Sequence, residues 1–168
     1  MTESKAQLIQ RIHRAFAGTV RPNSDDIIIG NPYDDIESEE LYEKLKDLNW
    51  VEIPSNVAWH RPDQLSFLTH DALRYFLPGY IIACIDDPDE ADVLWDNVVW
   101  ELIPPPDTSG ERFKYPKGRF ARLVLGMTAE QREAVYEYVR FDYCESDEIT
   151  RQRIEPALQY WRNFVRQS

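Results

Sequence analysis

Residues 69–86 read THDALRYFLPGYIIACID, and this stretch decides the fold. From Asp71 to Ile85 it is apolar nearly all round, which is typical of a helix that is buried on every side. Thr69 is placed to cap its first turn. Pro78 has no N–H to donate to the carbonyl of Arg74, so we expect a kink or a break there. The sequence thus predicts a central buried helix that is kinked at a proline.

Helical spacing and capping residues predict further helices on both sides of this stretch. Before it, Thr2 precedes a first helix, and Ser38 opens a second helix with leucines on one face. After it, the run Asp87-Pro88-Asp89-Glu90 is a strong start signal, with a cap, a proline and an acidic third residue. Thr128 with Gln131 matches a capping box. Ser146 and Asp147 can start a last helical stretch, which Pro156 is expected to split.

The fold class predicted from these elements is all-α, with about six helices. A chain of 168 residues fits one domain, so we expect a single helical domain over residues 1–168. Asp26 to Ile29 can form a short strand, but a lone strand has no evident partner. The alternation of strands and helices that marks a parallel sheet is missing.

The net charge is −11 and the isoelectric point is near 4.7. Such a charge repels nucleic acid and anionic membranes and attracts basic partners, so direct nucleic-acid binding and membrane binding are not expected. Cys84 and Cys144 lie in apolar stretches, which predicts two buried thiols in a reducing compartment, with a disulfide between them as the alternative. The first residues contain no apolar signal segment, so we expect a cytoplasmic protein.

No pattern of residues points to catalysis, and we predict no cofactor and no metal site. None of the three histidines pairs with another at i, i+4 spacing, and the six glycines form no phosphate-binding turn. The acidic run 86–92 resembles a calcium loop only loosely, because it lacks the glycine and the glutamate that such a loop needs. Acidic residues at a helix start explain that run better.

Arg74 is the one basic residue in the apolar helix. A buried guanidinium must be paired, and either Asp71 or the carbonyl freed by Pro78 can pair with it. The alternative is a pocket in which Arg74 binds an anion or a carboxylate. The residues expected to line this pocket with Arg74 are Trp59, Tyr75 and Tyr80.

The acidic residues fall mainly into two blocks. Residues 25–52 carry ten acidic side chains against two lysines, and residues 86–101 carry seven against none. A solvated face that keeps the protein soluble is one explanation, and a docking surface for a basic protein is the other. The residues predicted to contact such a partner are Asp34, Asp35, Glu39, Glu40, Asp87, Asp89 and Glu90.

Residues 72–80, Ala-Leu-Arg-Tyr-Phe-Leu-Pro-Gly-Tyr, resemble the segment Ala-Phe-Arg-Tyr-Tyr-Leu-Pro-Ala-Tyr. That segment marks a family of small uncharacterised acidic bacterial proteins. Trp50 with Ile53-Pro54, residues 128–131 and residues 157–161 are similar to that family too. The resemblance implies a bacterial, helical, cytoplasmic protein and assigns no role to any residue.

Three functions follow as hypotheses. The first is a non-enzymatic protein that docks a basic partner, as an inhibitor or immunity protein does. The second is a small-ligand-binding protein or an enzyme that uses the pocket beside Arg74. The third is a mimic of nucleic acid that occupies a DNA-binding protein. Carboxylates clustered on one face favour the first or the third, and a pocket favours the second.

Overall fold

The computed structural model describes residues 4–53, 64–89, 91–105 and 118–166. Within these ranges the chain forms seven α-helices and no strand, so the predicted all-α class is confirmed. The helices are α1 (Lys5–Phe16), α2 (Ile36–Leu45), α3 (His70–Asp86), α4 (Asp92–Leu102), α5 (Arg119–Leu125), α6 (Ala129–Glu145) and α7 (Glu148–Arg166).

The chain groups into two compact units. Unit 1 comprises Met1–Ala15 and Val99–Ser168, and unit 2 comprises Phe16–Val98. The prediction of one domain over residues 1–168 stays a prediction.

Helix α3 is the centre of unit 2, as the sequence predicts. Thirteen of its seventeen residues are buried. Thr69 caps it, because its hydroxyl accepts a hydrogen bond from the backbone N–H of Ala72 at 3.2 Å. The helix runs through Pro78 as one element, so of the two outcomes expected there, a kink or a break, the break is excluded. Burial on all sides stabilises the turns around the proline, which is why one missing hydrogen bond does not end the helix.

Two segments of unit 2 are fixed against α3. Ile28 forms a single antiparallel bridge with Leu68, and the backbone N–H of Thr69 donates to the carbonyl of Ile27 at 2.9 Å. The residues predicted as a short strand thus pair at one position only, just before α3 begins. Further along, the backbone of Trp50 packs directly against Gly79 of α3. A Cβ atom added to Gly79 would lie 2.2 Å from the carbonyl oxygen of Trp50, so only glycine allows this approach.

In unit 1, α6 and α7 pack against each other. Thr128 and Gln131 form the predicted capping box at the start of α6. Arg11 of α1 pairs with Glu133 of α6 at 3.5 Å. The indole N–H of the buried Trp161 donates to the carbonyl of Leu102 at 2.9 Å, which fixes the end of α4 to α7.

Several local predictions are wrong. Helix α2 begins two residues before Ser38, because Asp35 takes the capping role. Helix α4 begins at Asp92, while Asp87 is the C-cap of α3 and residues 88–89 form a turn. Pro156 lies inside an unbroken α7. Cys144 is exposed, whereas Cys84 is buried as expected. Thr2 lies outside the described residues.

Candidate partner-binding surface

The outward face of α2 gathers carboxylates around one apolar residue. Three buried residues set its inward face: Ser38, Leu41 and Leu45. Ile36, Glu39, Glu40 and Glu43 follow one another at positions i, i+3, i+4 and i+7 and therefore share the opposite face. Ile36 is an exposed large apolar side chain among them.

Asp35 starts α2 rather than serving as a free surface charge. Its carboxylate accepts hydrogen bonds from the backbone N–H of Ser38 at 2.8 Å and from the Ser38 hydroxyl at 2.7 Å. These two bonds lower the pKa of Asp35 below its usual value, because they stabilise the ionised form. Reversing the charge of Asp35 would therefore damage the helix as well as the surface.

A short turn before α2 holds an aromatic ring beside these carboxylates. Asn31 accepts a hydrogen bond from the backbone N–H of Tyr33 at 3.3 Å and donates to Asp34 at 2.9 Å. The ring of Tyr33 meets the ring of Tyr42 edge to face, with centroids 5.8 Å apart.

The hydroxyl of Tyr33 donates to Glu43 at 3.4 Å. Partial desolvation, followed by the charge of Glu43, raises the pKa of the Tyr33 hydroxyl. We call the set formed by this turn and the outward helix face the α2 surface. Its members are Tyr33, Asp34, Ile36, Glu39, Glu40 and Glu43.

The second predicted group lies elsewhere in unit 2. Asp87 and Asp89 are exposed at and just after the end of α3, and Glu90 lies outside the described residues. The backbone at Asp26 and Ile27 contacts Thr69, at the opposite end of the same helix. A helix of this length spans about 25 Å, so Asp26 and Asp87 are about that far apart. Helix α2 contacts residues 64–67, which lie just before α3, so it lies towards the Thr69 end of α3 and not towards Asp87.

Three of the four residues predicted to form a pocket lie in the described part of the chain, and all three belong to α3. Arg74 is paired with Asp71 at 2.9 Å, as expected, but a quarter of its side chain is exposed, so the expected burial is wrong. The hydroxyl of Tyr75 donates to Asn49, and Tyr80 is fully buried. At about 100° per residue, these three side chains leave α3 in different directions. Trp59 lies outside the described residues.

The net negative charge of the chain is carried by unit 2. Unit 2 contains eighteen acidic and five basic residues, a net charge of −13, whereas unit 1 has a net charge of +2. Charge that served solubility alone has no reason to collect in half of the chain. The division favours a role for the surface of unit 2.

Exposed apolar side chains occur in the same segments as the acidic residues. Six of the nine exposed large apolar side chains in the described ranges belong to the two acidic blocks. These six are Ile29, Tyr33, Ile36, Val51, Val93 and Trp100. Protein interfaces combine apolar anchors with a charged rim, so this coincidence favours binding of a protein.

Two features of the structure were missed by the sequence predictions. Tyr33 was not singled out, although Asn31-Pro32 before it is a recognisable turn signal. The buried ion pair between Glu101 and Arg119, at 3.1 Å, was also missed. Nothing in the sequence marks these two residues, 18 positions apart, as neighbours.

These observations define an all-α protein whose acidity is concentrated in one of two compact units. None of the described helices combines the length and the apolar character needed to cross a membrane. Residues 4–165 match the family described as "Family of unknown function (DUF6714)", and the chain belongs to that family. No curated protein and no solved structure matches it. The match covers nearly the whole chain, while the marker motif and the bacterial origin implied by the resemblance stay predictions.

Proposed function

We propose that this protein is a non-enzymatic binding protein that docks a basic protein through the α2 surface. The observation that carries the proposal is the presence of exposed Tyr33 and Ile36 among the carboxylates of a unit with a net charge of −13. An inhibitor or an immunity protein acts through such a surface. The proposed setting is the cytoplasm, where Cys84 and Cys144 remain thiols.

The apolar side chains favour a protein partner over a role as a nucleic-acid mimic. A mimic needs carboxylates at the spacing of phosphates, and exposed tyrosine and isoleucine add nothing to that resemblance. In a protein interface these side chains are the anchors, while the carboxylates speed association and select the partner. Binding is therefore expected to be fast at low salt and slower at physiological salt.

The test is a charge reversal that leaves α2 intact. Asp34, Glu39 and Glu40 are changed to lysine together, while Asp35 is kept because it caps the helix. A matched triple reversal of exposed acidic residues in unit 1, at Glu130, Glu145 and Glu148, alters the net charge equally. Association with a basic partner recovered by pull-down is then measured by surface plasmon resonance over a range of salt concentrations.

The α2 triple is expected to slow association by about tenfold at low salt, because the local field steers the encounter. The unit 1 triple should have a much smaller effect. Equal slowing by both triples would show that only net charge matters. An acidic partner, or a rate that does not respond to salt, would also contradict the proposal.

A further inference from the structure

The ring of Tyr33 is presented to solvent in a fixed orientation. More than half of this side chain, 58%, is exposed. The Asn31 turn holds its backbone, Pro32 fixes the first position of that turn, and Tyr42 and Glu43 contact its ring and its hydroxyl. A ring that is ordered before binding loses little conformational entropy when a partner covers it.

Elsewhere the chain shows what such a ring can bind. The guanidinium of Arg132 lies 4.6 Å from the ring centroid of Phe164, and that of Arg151 lies 5.8 Å from the ring centroid of Tyr143. Both rings are in unit 1. In the described part of the chain no cation lies over Tyr33, and the nearby Lys46 is positioned over Tyr42 and pairs with Glu43 at 2.7 Å.

Carboxylates adjoin the exposed ring. Asp34 is the next residue, and Glu43 contacts the tyrosine hydroxyl. A cation over the ring would therefore meet the negative face of an aromatic side chain and a carboxylate together. A guanidinium suits both, because it is planar, stacks on rings and donates several hydrogen bonds in a fork, whereas an ammonium is compact and strongly hydrated.

We infer that the anchor of the basic partner is an arginine whose guanidinium stacks on Tyr33 and donates to Asp34 or Glu43. The inference rests on the proposed function and specifies the residue that the α2 surface selects. Lysine at the same place would keep the charge attraction and lose the stacking. The α2 surface is thus selective for arginine and not only for positive charge.

The probes are two synthetic peptides of equal length and charge, in which arginine or lysine alternates with glycine. Their dissociation constants are measured by isothermal titration calorimetry for the full chain and for Tyr33→Leu and Tyr33→Phe. Tyr143→Leu serves as the control on a ring that an arginine of the chain itself already covers. Circular dichroism checks that every variant keeps its helices.

The arginine peptide is expected to bind the unchanged chain about two- to fivefold more tightly than the lysine peptide. Tyr33→Leu should abolish this preference and leave lysine-peptide binding unchanged, while Tyr33→Phe and Tyr143→Leu should retain it. Equal binding of the two peptides, or a preference that survives in Tyr33→Leu, would overturn the arginine anchor. If both peptides bind equally well and the α2 triple reversal weakens the binding of both, the proposed function stands without the arginine anchor. Failure of both peptides to bind at low salt would count against both proposals.

Discussion

The guanidinium of Arg119 lies against the carboxylate of Glu101, with its Nε 3.1 Å and 3.3 Å from the two oxygens. The two side chains are 4% and 8% exposed, so this ion pair is almost fully buried in unit 1. Glu101 lies in the last turn of α4, and Arg119 is the first residue of α5. Burial raises the pKa of Glu101, and the charge of Arg119 opposes part of that rise.

Arg119→Met is expected to reduce the free energy of unfolding by about 3–5 kcal/mol near neutral pH, because it leaves a buried carboxylate without this partner. A raised pKa means that Glu101 contributes stability below its ordinary pKa and loses that contribution as the pH rises through the raised value. Removing Arg119 raises the pKa further, so the penalty should be smaller at mildly acidic pH. Urea unfolding at mildly acidic and at neutral pH measures both effects.

The control for that substitution is Glu101→Leu combined with Arg119→Met. Replacing both charges with apolar side chains removes the uncompensated carboxylate, so most of the lost stability should return. The double variant should also lack the pH dependence of the single one. A penalty below about 1 kcal/mol for Arg119→Met would show that the pair contributes little. A penalty that is equal at both pH values would show that the unpaired carboxylate of Glu101 is not its cause.

Features that depend on a few consecutive residues could be predicted from the sequence. Thr69 and Thr128 cap their helices as expected, because a cap needs only its own side chain and the next three residues. The start of α2 was misplaced because Asp35 and Ser38 are both good capping residues and lie three positions apart. Local patterns do not choose between such neighbours.

Features that depend on packing could not be predicted in this way. The sequence left both a kink and a break open at Pro78 and predicted a split at Pro156. Each proline lies inside one continuous helix, where tertiary contacts outweigh the missing hydrogen bond. The two residues of the Glu101–Arg119 pair lie on different helices, and no local rule brings them together. Of the α2 surface, Asp34, Glu39 and Glu40 were among the predicted positions. Tyr33, Ile36 and Glu43 were not, because the fold decides which side chains remain outside together.

Gly79→Ala is expected to destabilise the protein by about 1–3 kcal/mol or more, because overpacking forces the backbone of α3 and its neighbour apart. The added Cβ would lie 2.2 Å from the carbonyl oxygen of Trp50 and 2.8 Å from the Cβ of Ile53. Gly18→Ala is a matched control, since nothing lies within 4 Å of its added Cβ. Chemical denaturation should separate the two variants clearly. Equal midpoints would mean that the Trp50 segment moves away at little cost.

Arg74→Ala is expected to cost about 1 kcal/mol or less, because its ion pair with Asp71 is solvent-accessible. The side chain of Asp71 is 70% exposed, so removal of Arg74 leaves a carboxylate that water can solvate. Unfolding of Asp71→Ala, and of the double variant, gives the coupling between the two residues. A cost of several kcal/mol for Arg74→Ala would instead show that its side chain stabilises the first half of α3.

Asp35→Asn is expected to weaken the start of α2 in a pH-dependent way. The Asp35 carboxylate accepts from the backbone N–H and the hydroxyl of Ser38, and these bonds lower its pKa. A lowered pKa contributes stability that is fully present above the ordinary pKa of aspartate and is lost as the pH falls through the lowered value. Asparagine still caps the helix but carries no charge. The unchanged chain should therefore be the more stable near neutral pH, and the difference should shrink as the solution becomes strongly acidic.

In a Ser38→Ala background one of the two bonds to Asp35 is missing, so the pH-dependent part of the difference that Asp35→Asn makes should be smaller. Denaturant unfolding at a series of pH values measures this difference, and one that stays constant or grows towards acid would contradict the role assigned to Asp35.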